Sequence, residues 1–292
     1  MALKWDTARR ILAQSPEVVQ RENRAWWSQN PMAYDWHGEL TDERFSPAWF
    51  ERIDSRFVAT SALFATEKKP FDRVIPFEKL AGKDVLEIGC GMGLHSELIV
   101  RAGARLTAVD LSPTSIAATT ARFNQKGLSA TIMEADAEEL PFPDRSFDFV
   151  WSWGVIHHSS RTARIVRNIA RVLRSDGECR IMVYNREALT AWIVLFRDHL
   201  LRGGFLKQSF DETLWRSTDG FTARYYVREQ FEDFFRAFFG EVSSVICGQE
   251  SDALPLPRRL RKLLVPLIPR ERLIRAQARR GSFIFLTASD PS

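Results

Sequence analysis

Cysteine and histidine are scarce in this sequence, and their scarcity excludes several classes of protein. The 292 residues include 3 cysteines and 5 histidines, and Cys90, Cys179 and Cys247 stand far apart without a Cys-x-x-Cys pair. This spacing provides neither a disulfide framework nor a zinc site, and it is typical of a reducing compartment. The histidines share no ligand spacing with nearby acidic residues, so we predict no metal site.

Long apolar runs are also missing from the sequence. No stretch has the length and hydrophobicity of a membrane span, and Lys4, Asp6, Arg9 and Arg10 are not followed by the apolar core of a secretory signal. We therefore expect a cytoplasmic protein. The formal net charge is only +4, and charges of both signs are interspersed along most of the chain, which does not favour a general polyanion-binding protein.

After residue 82, short apolar runs alternate with helical patterns, as in βαβ units around a parallel sheet. Strands are predicted over residues 84–88, 106–110, 130–133, 147–151, 179–184, 242–247 and 282–287. Helices are predicted over residues 94–102, 113–124, 162–173 and 227–239. A tryptophan-rich N-terminal part and an apolar helical segment over residues 188–206 fall outside this alternation, so we expect them to form caps.

The first predicted strand leads into the glycine loop Gly89-x-Gly91-x-Gly93, which opens a helix. Glycine lets a ligand approach the backbone closely, and amides at the start of a helix then face that ligand. A dinucleotide-binding loop has its third glycine three positions after the second, where this sequence has Leu94. A carboxylate such as Glu87 would oppose a pyrophosphate but favours a sulfonium cofactor with an ammonium group. The loop therefore favours S-adenosylmethionine (SAM) over NAD.

A second acidic residue, Asp110, ends the second predicted strand. In such folds a carboxylate at this place accepts hydrogen bonds from both ribose hydroxyls of the ligand. Capping of the helix that begins at Pro113 is the alternative role, although Ser112 can fill it. We predict that Asp110 binds the ribose.

Four motifs taken together resemble the class I SAM-dependent methyltransferases, and among them the ubiquinone/menaquinone-biosynthesis-type group. They are Glu87-x-Gly89-x-Gly91-x-Gly93, Asp110-Leu111-Ser112, Asp136-Ala137 with the segment 140–148, and Val155-Ile156-His157-His158. The resemblance covers about residues 80–185 well and the rest loosely. It implies a doubly wound, seven-stranded, mostly parallel Rossmann-like α/β sheet whose antiparallel last strand lies between the fifth and sixth.

This resemblance and the hydrophobic pattern divide the chain into four parts. Residues 1–80 are expected to form an N-terminal helical and aromatic cap, and residues 81–187 the SAM-binding core. Residues 188–227 are expected to form an inserted helical cap segment. Residues 228–292 then complete the methyltransferase core and carry a basic insertion.

The resemblance also implies how the matched residues bind SAM. Gly89 and Gly91 contact its methionine part. Asp110 holds the ribose, and Leu111 borders the adenine.

On the adenine side, the resemblance assigns Asp136 as the acceptor for the amino group and the Ala137 amide as a contact of the ring. Trp153 lies beside the cofactor. A capping role is the alternative for Asp136. The complete predicted cofactor set is Glu87, Gly89, Cys90, Gly91, Gly93, Asp110, Leu111, Asp136, Ala137 and Trp153.

His157 and His158 follow the fourth predicted strand, at the edge of the sheet where ligands bind. Methyl transfer is an in-line displacement that requires alignment of the reactants and exclusion of water. An oxygen or nitrogen acceptor must also lose a proton, which an imidazole of ordinary pKa, about 6.5, can take. We predict His157 and His158 as candidate catalytic bases, with packing or capping as the alternative.

A pocket for an apolar or aromatic small-molecule acceptor is predicted from aromatic residues in the two caps and after the fifth strand. Its candidate residues are Trp27, Tyr34, Trp36, His37, Tyr184, Trp192 and Tyr225. Tyr34 resembles a tyrosine that family members place near the SAM carboxylate. Packing of the caps onto the core is the alternative role for each of these residues.

A basic segment, residues 258–280, lies between the last two predicted strands. Its cations are Arg258, Arg259, Arg261, Lys262, Arg270, Arg272, Arg275, Arg279 and Arg280. A solvated insertion is the favoured interpretation, because prolines at 255, 257, 266 and 269 break any long helix. Peripheral membrane contact is the second interpretation. Nucleic-acid binding is the third, since no aromatic platform is interleaved with the arginines.

The sequence thus predicts an enzyme that transfers the methyl group of SAM to a small molecule and leaves S-adenosylhomocysteine. An RNA or protein methyltransferase is one alternative, indicated only by the basic segment. A SAM-binding module without catalysis is another. A NAD-dependent oxidoreductase is disfavoured by Leu94.

Overall fold

The computed structural model describes residues 15–35, 38, 40–66, 69–218 and 220–292. In this part of the chain one mixed sheet has the strand order β3-β2-β1-β4-β5-β8-β7, and the short β6 pairs with β5 off this path. The strands are β1 (Asp84–Ile88), β2 (Arg105–Asp110), β3 (Thr131–Glu134), β4 (Phe147–Trp153), β5 (Leu173–Asn185), β6 (Tyr225–Tyr226), β7 (Phe239–Cys247) and β8 (Phe283–Pro291).

The direction of the strands confirms the predicted fold class. Strands β3, β2, β1, β4 and β5 are parallel neighbours, whereas β8 pairs antiparallel with both β5 and β7. The predicted antiparallel last strand therefore lies where expected, between the fifth strand and the strand 242–247, which is the end of β7. The two-residue β6 is an addition to the seven predicted strands.

Helices cover both faces of the sheet. Helices also form the N-terminal part of the described chain and the segment after β5, which fall outside the alternation of strands and helices. The helices are α1 (Pro16–Gln29), α2 (Pro47–Thr60), α3 (Leu94–Arg101), α4 (Pro113–Lys126), α5 (Thr162–Val172), α6 (Leu189–Val194), α7 (Phe210–Trp215), α8 (Arg228–Arg236), α9 (Glu250–Ala253), α10 (Arg258–Leu264) and α11 (Arg270–Gln277). A π-helical stretch, Leu195–Leu201, continues α6. None of the helices described above is long and apolar enough to cross a membrane.

The helix α4 shows how local sequence sets an element that borders the site. Pro113 occupies its first turn, where a missing N–H costs nothing, and the Ser112 hydroxyl accepts a hydrogen bond from the Ser115 amide at 3.3 Å. Gly127, with a φ of 60°, ends the helix in the left-handed conformation. Ser112 therefore provides the side-chain cap of α4, as the sequence predicted.

Two apolar layers enclose the sheet, one on each face. On one face Val150 packs in a cluster with Ile169 of α5 and Phe235 of α8. On the opposite face Trp151 packs in a second cluster that includes Phe57 of α2. The N-terminal helix α2 is thereby joined to the core, next to the loop that follows β1.

Candidate active site

A cavity of about 420 Å³ opens at the C-terminal edge of the parallel strands. Its wall includes the glycine loop between β1 and α3, the end of β2 and the residues that follow β4. Side chains of α1 and α2 close it from the N-terminal side. This is the edge at which open α/β sheets bind ligands, and the volume falls within the range of about 300–1,000 Å³ of ligand pockets.

Gly89 can be replaced by no other residue without moving the wall of this cavity. Its φ is +81°, and a Cβ added to it would lie 2.1 Å from Cγ2 of Val155. The Gly89 and Cys90 amides both donate to the Val109 carbonyl oxygen, at 2.7 and 3.1 Å. The loop therefore offers a ligand close contact with its backbone atoms, while these two donors hold the loop against β2.

The carboxylate of Asp110 lies at the end of β2 and lines the cavity. Its two oxygens accept hydrogen bonds from the Gly91 amide at 3.0 Å and the Ser112 amide at 2.9 Å. Burial raises the pKa of Asp110, and these two amides oppose that rise. Each carboxylate oxygen can accept a further hydrogen bond, so the geometry fits a diol as well as the loop amide.

Glu87 lies beneath the glycine loop and has only 2% of its surface exposed. Burial raises the pKa of Glu87 to about 8, the neighbouring charge of Asp110 adds to the rise, and a hydrogen bond from the Ser96 hydroxyl opposes it. At that pKa Glu87 keeps its proton at neutral pH, so Asp110 is the carboxyl group in the cavity wall that can favour a cationic ligand.

The remaining predicted cofactor residues divide between the cavity wall and its surroundings. The predicted residues that line the cavity are Gly89, Cys90, Gly91, Gly93, Asp110, Leu111, Ala137 and Trp153. Glu87 and Asp136 were also predicted to bind the cofactor, but neither lines the cavity.

Asp136 holds two neighbouring segments together through one oxygen. Its Oδ1 accepts hydrogen bonds from Nε2 of Gln20 at 2.9 Å and from the Glu138 amide at 2.8 Å. The capping role that the sequence left as an alternative is therefore present. Gln20, which reaches Asp136 from α1, lines the cavity itself.

His158 lines the cavity, whereas His157 lies behind it with no exposed surface. Nδ1 of His158 is 2.5 Å from the Thr222 carbonyl oxygen, which can only accept, so Nδ1 carries the hydrogen and Nε2 has a free lone pair. Burial lowers the pKa of His158 to about 4. His158 is therefore neutral at pH 7 and can accept a proton at Nε2.

His157 is packed between two rings, each with its centroid 4.2 Å away: those of His158 and Tyr184. Burial lowers the pKa of His157, and the adjacent His158 adds to the effect. Neither of its ring nitrogens has a hydrogen-bond partner among the residues that the structure describes. Its position favours packing over proton transfer.

Known proteins resemble this chain in sequence and in fold. Residues 86–181 match the model of a methyltransferase domain family. A probable SAM-dependent methyltransferase of Mycobacterium tuberculosis is 36% identical over 123 residues, which cover 42% of this chain and 43% of that protein. A ubiquinone biosynthesis O-methyltransferase of Methylocella silvestris is 32% identical over 174 residues, 59% of this chain and 64% of that enzyme.

This chain contains a class I SAM-dependent methyltransferase domain. It spans less than two thirds of the length of the two curated relatives named above. The solved structure of the [4+2]-cyclase SpnF has a TM-score of 0.52 and 19% identity, and the match covers 95% of this chain and 96% of that one. At that identity the match shows a shared fold and nothing about activity.

Three of the aromatic residues predicted for the acceptor line the cavity of the methyltransferase domain: Trp27, Tyr34 and Tyr184. The Trp27 ring meets the His158 ring edge-on at 5.0 Å, and Tyr34 stacks on Phe57 at 4.6 Å. Trp27 and Tyr34 therefore pack against neighbouring rings and also line the cavity. Trp36 and His37 lie outside the residues that the structure describes.

Trp192 and Tyr225 do not line the cavity. Trp192 is 61% exposed, because α6 buries Ala191 against Leu214 and turns the opposite face outwards. Tyr225 lies behind Tyr184, with ring centroids 5.2 Å apart. The segment that was expected to cover the active site therefore does not do so through Trp192.

His95 lines the cavity and was not among the predicted site residues of the methyltransferase domain. Nε1 of Trp151 donates to its Nδ1 at 3.2 Å, so the hydrogen of the neutral ring is on Nε2. Burial lowers the pKa of His95 to about 3. This Nε2 is buried and has no hydrogen-bond partner in the described part of the chain. Only its place two residues after Gly93 could have indicated it.

Proposed function

We propose that this protein is an enzyme that transfers the methyl group of SAM to a small apolar or aromatic acceptor, with S-adenosylhomocysteine as the product. The observation that carries the proposal is one cavity in which the glycine loop and Asp110 meet a wall of aromatic side chains. The first group of residues fits the cofactor, and the second fits the acceptor.

The fit to SAM rests on the shape and charge of the site. A Cβ at Gly89 would collide with Val155, so only glycine lets the loop keep this shape beside the cavity. Asp110 presents two carboxylate oxygens to a ribose, and its position in the wall favours the positive charge of the cofactor over the negative charge of a pyrophosphate. The name of the Mycobacterium tuberculosis relative, a probable SAM-dependent methyltransferase, supports the same cofactor.

The character of the acceptor follows from the rest of the wall. Among the described residues, those lining the cavity include no lysine or arginine. A phosphorylated or carboxylated acceptor would enter without a counter-charge, which is costly in a buried site. Rings that line the cavity, including those of Trp27, Trp153, Tyr184 and Phe283, favour an apolar or planar molecule instead. The ubiquinone biosynthesis O-methyltransferases among the relatives support a small-molecule acceptor.

In the proposed reaction the residues of the chain position the reactants and move one proton. SAM supplies a methyl group on a sulfonium, whose positive charge makes the thioether a good leaving group. Asp110 fixes the ribose, and the aromatic wall orients the acceptor and excludes water. Nε2 of His158 accepts the proton of a hydroxyl or amine acceptor.

A calorimetric titration tests the cofactor assignment first. We expect SAM and S-adenosylhomocysteine to bind and NADH, the control, not to bind. Binding of NADH in preference to both would contradict the proposal.

A transfer assay with SAM labelled in its methyl group tests the acceptor. Hydroxylated aromatic compounds of low charge are compared with their phosphorylated counterparts, with total tRNA and with a mixture of proteins. Label should pass to the uncharged aromatics. Label found only in RNA or protein would overturn the small-molecule assignment, and no label in any acceptor, despite tight SAM binding, would favour a module without catalysis.

A further inference from the structure

Two segments of the chain expose many large apolar side chains to solvent. The first segment follows β5 and exposes Trp192, Ile193, Phe196, Leu200, Leu201, Phe205, Leu206 and Phe210. The second follows β7 and exposes Leu260, Leu263, Leu264 and Leu267. We call these twelve residues the apolar rim. Leu206, Leu263 and Leu267 are 76%, 70% and 77% exposed, which is far more than leucine in a folded protein usually shows.

Both segments leave the sheet at the edge that contains the cavity. The end of β5 pairs with the start of β8, so that Tyr184 lies beside Phe283, and both residues line the cavity. The two segments also touch each other there, since the Leu189 amide donates to the Arg280 carbonyl oxygen at 3.0 Å. The apolar rim thus belongs to two neighbouring insertions at the cavity edge.

The charge of the second segment complements an anionic surface. Residues 258–280 contain nine basic side chains and one acidic side chain, a net charge of +8. Because the whole chain carries +4, the other residues together carry −4. Arg259 and Lys262 are exposed within the same short helix, α10, as Leu260 and Leu263. Apolar and basic side chains therefore share one solvent-facing helix.

We propose that the apolar rim docks on an anionic lipid bilayer and brings the cavity to the membrane surface. Interfacial segments bind lipid through inserted apolar side chains together with cations, each of which contributes about 1 kcal/mol near an anionic surface. A second copy of the chain fits less well, since two segments of like charge would repel each other. A nucleic acid would bind the cations through its phosphates, but this electrostatic binding would leave the exposed leucines in contact with water.

This inference deepens the proposed function, because it makes the acceptor a lipid-soluble molecule that enters from the bilayer. Docking itself does not depend on methyl transfer, so the two can fail separately. Vesicle binding with no SAM binding would leave docking intact and remove the proposed function. SAM binding without vesicle binding would leave the proposed function intact and remove the docking.

Vesicle flotation with the full chain tests the docking. Vesicles of phosphatidylcholine alone are compared with vesicles that contain about one third phosphatidylglycerol, at low and high salt. We expect binding to the anionic vesicles, weaker by about tenfold or more on the neutral ones, and a decrease with salt.

Two variants separate the contributions of the rim. Leu263→Ser/Leu267→Ser should reduce binding about tenfold or more, because two exposed leucines lose their insertion. Arg259→Gln/Lys262→Gln should reduce the salt dependence. Val245→Ser, which changes an apolar residue 58% exposed on β7 outside the rim, is the matched control and should bind like the wild type.

Equal binding by the leucine double variant and the wild type would overturn the proposal, as would equal binding to neutral and anionic vesicles. Sedimentation velocity adds a further test. Suppose that the wild type does not bind vesicles, that it forms a dimer, and that the leucine double variant is a monomer. This result would assign the apolar rim to self-association instead.

Discussion

Arg122 donates the hydrogen of its Nε to the main-chain carbonyl oxygen of Met92, at 2.8 Å, inside the glycine loop. The same guanidinium has no exposed surface and forms ion pairs with Asp54 of α2 at 2.6 Å and with Glu97 of α3 at 2.9 Å. It also lies over the Phe50 ring at 4.6 Å. One buried cation therefore joins the cofactor loop to the N-terminal helix α2.

Arg122→Met should destabilise the protein strongly. The change leaves the carboxylates of Asp54 and Glu97 without their buried partner, and removal of one member of such a pair costs about 3–5 kcal/mol. Urea denaturation measures the free energy of unfolding. Arg167→Met, on the exposed face of α5, is the control and should change it by no more than about 0.5 kcal/mol. Equal effects of the two variants would show that the network does not support the loop.

Asp110→Ala should weaken SAM binding about tenfold or more. The variant removes the acceptor for the ribose and also releases the Gly91 and Ser112 amides that shape the loop. Hydrogen bonds to a charged group contribute about 1.5–3 kcal/mol each. Calorimetry measures the dissociation constant, with Asp176→Ala, an exposed residue, as the control. Affinity unchanged from the wild type would remove Asp110 from the cofactor site.

The sheet and the loop of this protein were predictable because their signals are local. The glycine loop, Asp110 and the strands on either side are each specified by fewer than about ten consecutive residues. Strand order came from the resemblance to a family, because adjacency between β5 and β8 has no signature in the sequence of either. The start of β5 was missed, since Asp176-Gly177 has the composition of a turn although the structure contains it within the strand.

Contacts between distant residues account for most of what was missed in the site. The bond from Gln20 to Asp136 joins positions 116 residues apart, and that from Trp151 to His95 joins positions 56 apart. The orientation of Trp192 depends on which face of α6 packs against Leu214. An apolar pattern shows that a helix has such a face but does not identify its partner.

Glu87→Gln should make stability less dependent on pH. Because the folded protein raises the pKa of Glu87 to about 8 from 4.5, it binds a proton that the unfolded chain has already lost. The contribution of Glu87 to the free energy of unfolding is fully present below about pH 4.5 and is lost as the pH rises through about 8. The lowered pKa values of His95, His157 and His158 act in the opposite direction, but only below about pH 6.5.

Unfolding by urea at pH 6.5, 7.2 and 8.0, roughly, isolates the Glu87 contribution. The wild-type free energy of unfolding should fall across this window by up to about 1.4 kcal/mol per pH unit, and that of Glu87→Gln should fall less. Glu139→Gln, an exposed change, should follow the wild type. Parallel curves for wild type and Glu87→Gln would mean that Glu87 is ionised in the apoprotein.

His158→Ala should slow methyl transfer without weakening SAM binding, because the ring lines the cavity and the Thr222 carbonyl oxygen engages Nδ1 rather than Nε2. General-base catalysis contributes about 10²–10⁴-fold, so the loss in kcat should fall in that range. Since the pKa of His158 is lowered to about 4, the wild-type rate should persist down to about pH 5, below the range in which an ordinary imidazole would be protonated. His157→Phe, which keeps a ring packed on Tyr184, should retain most of the rate. An equal loss in both variants would show that the pair acts through packing, and a fall in rate near pH 6.5 would contradict the neutral, buried state of His158.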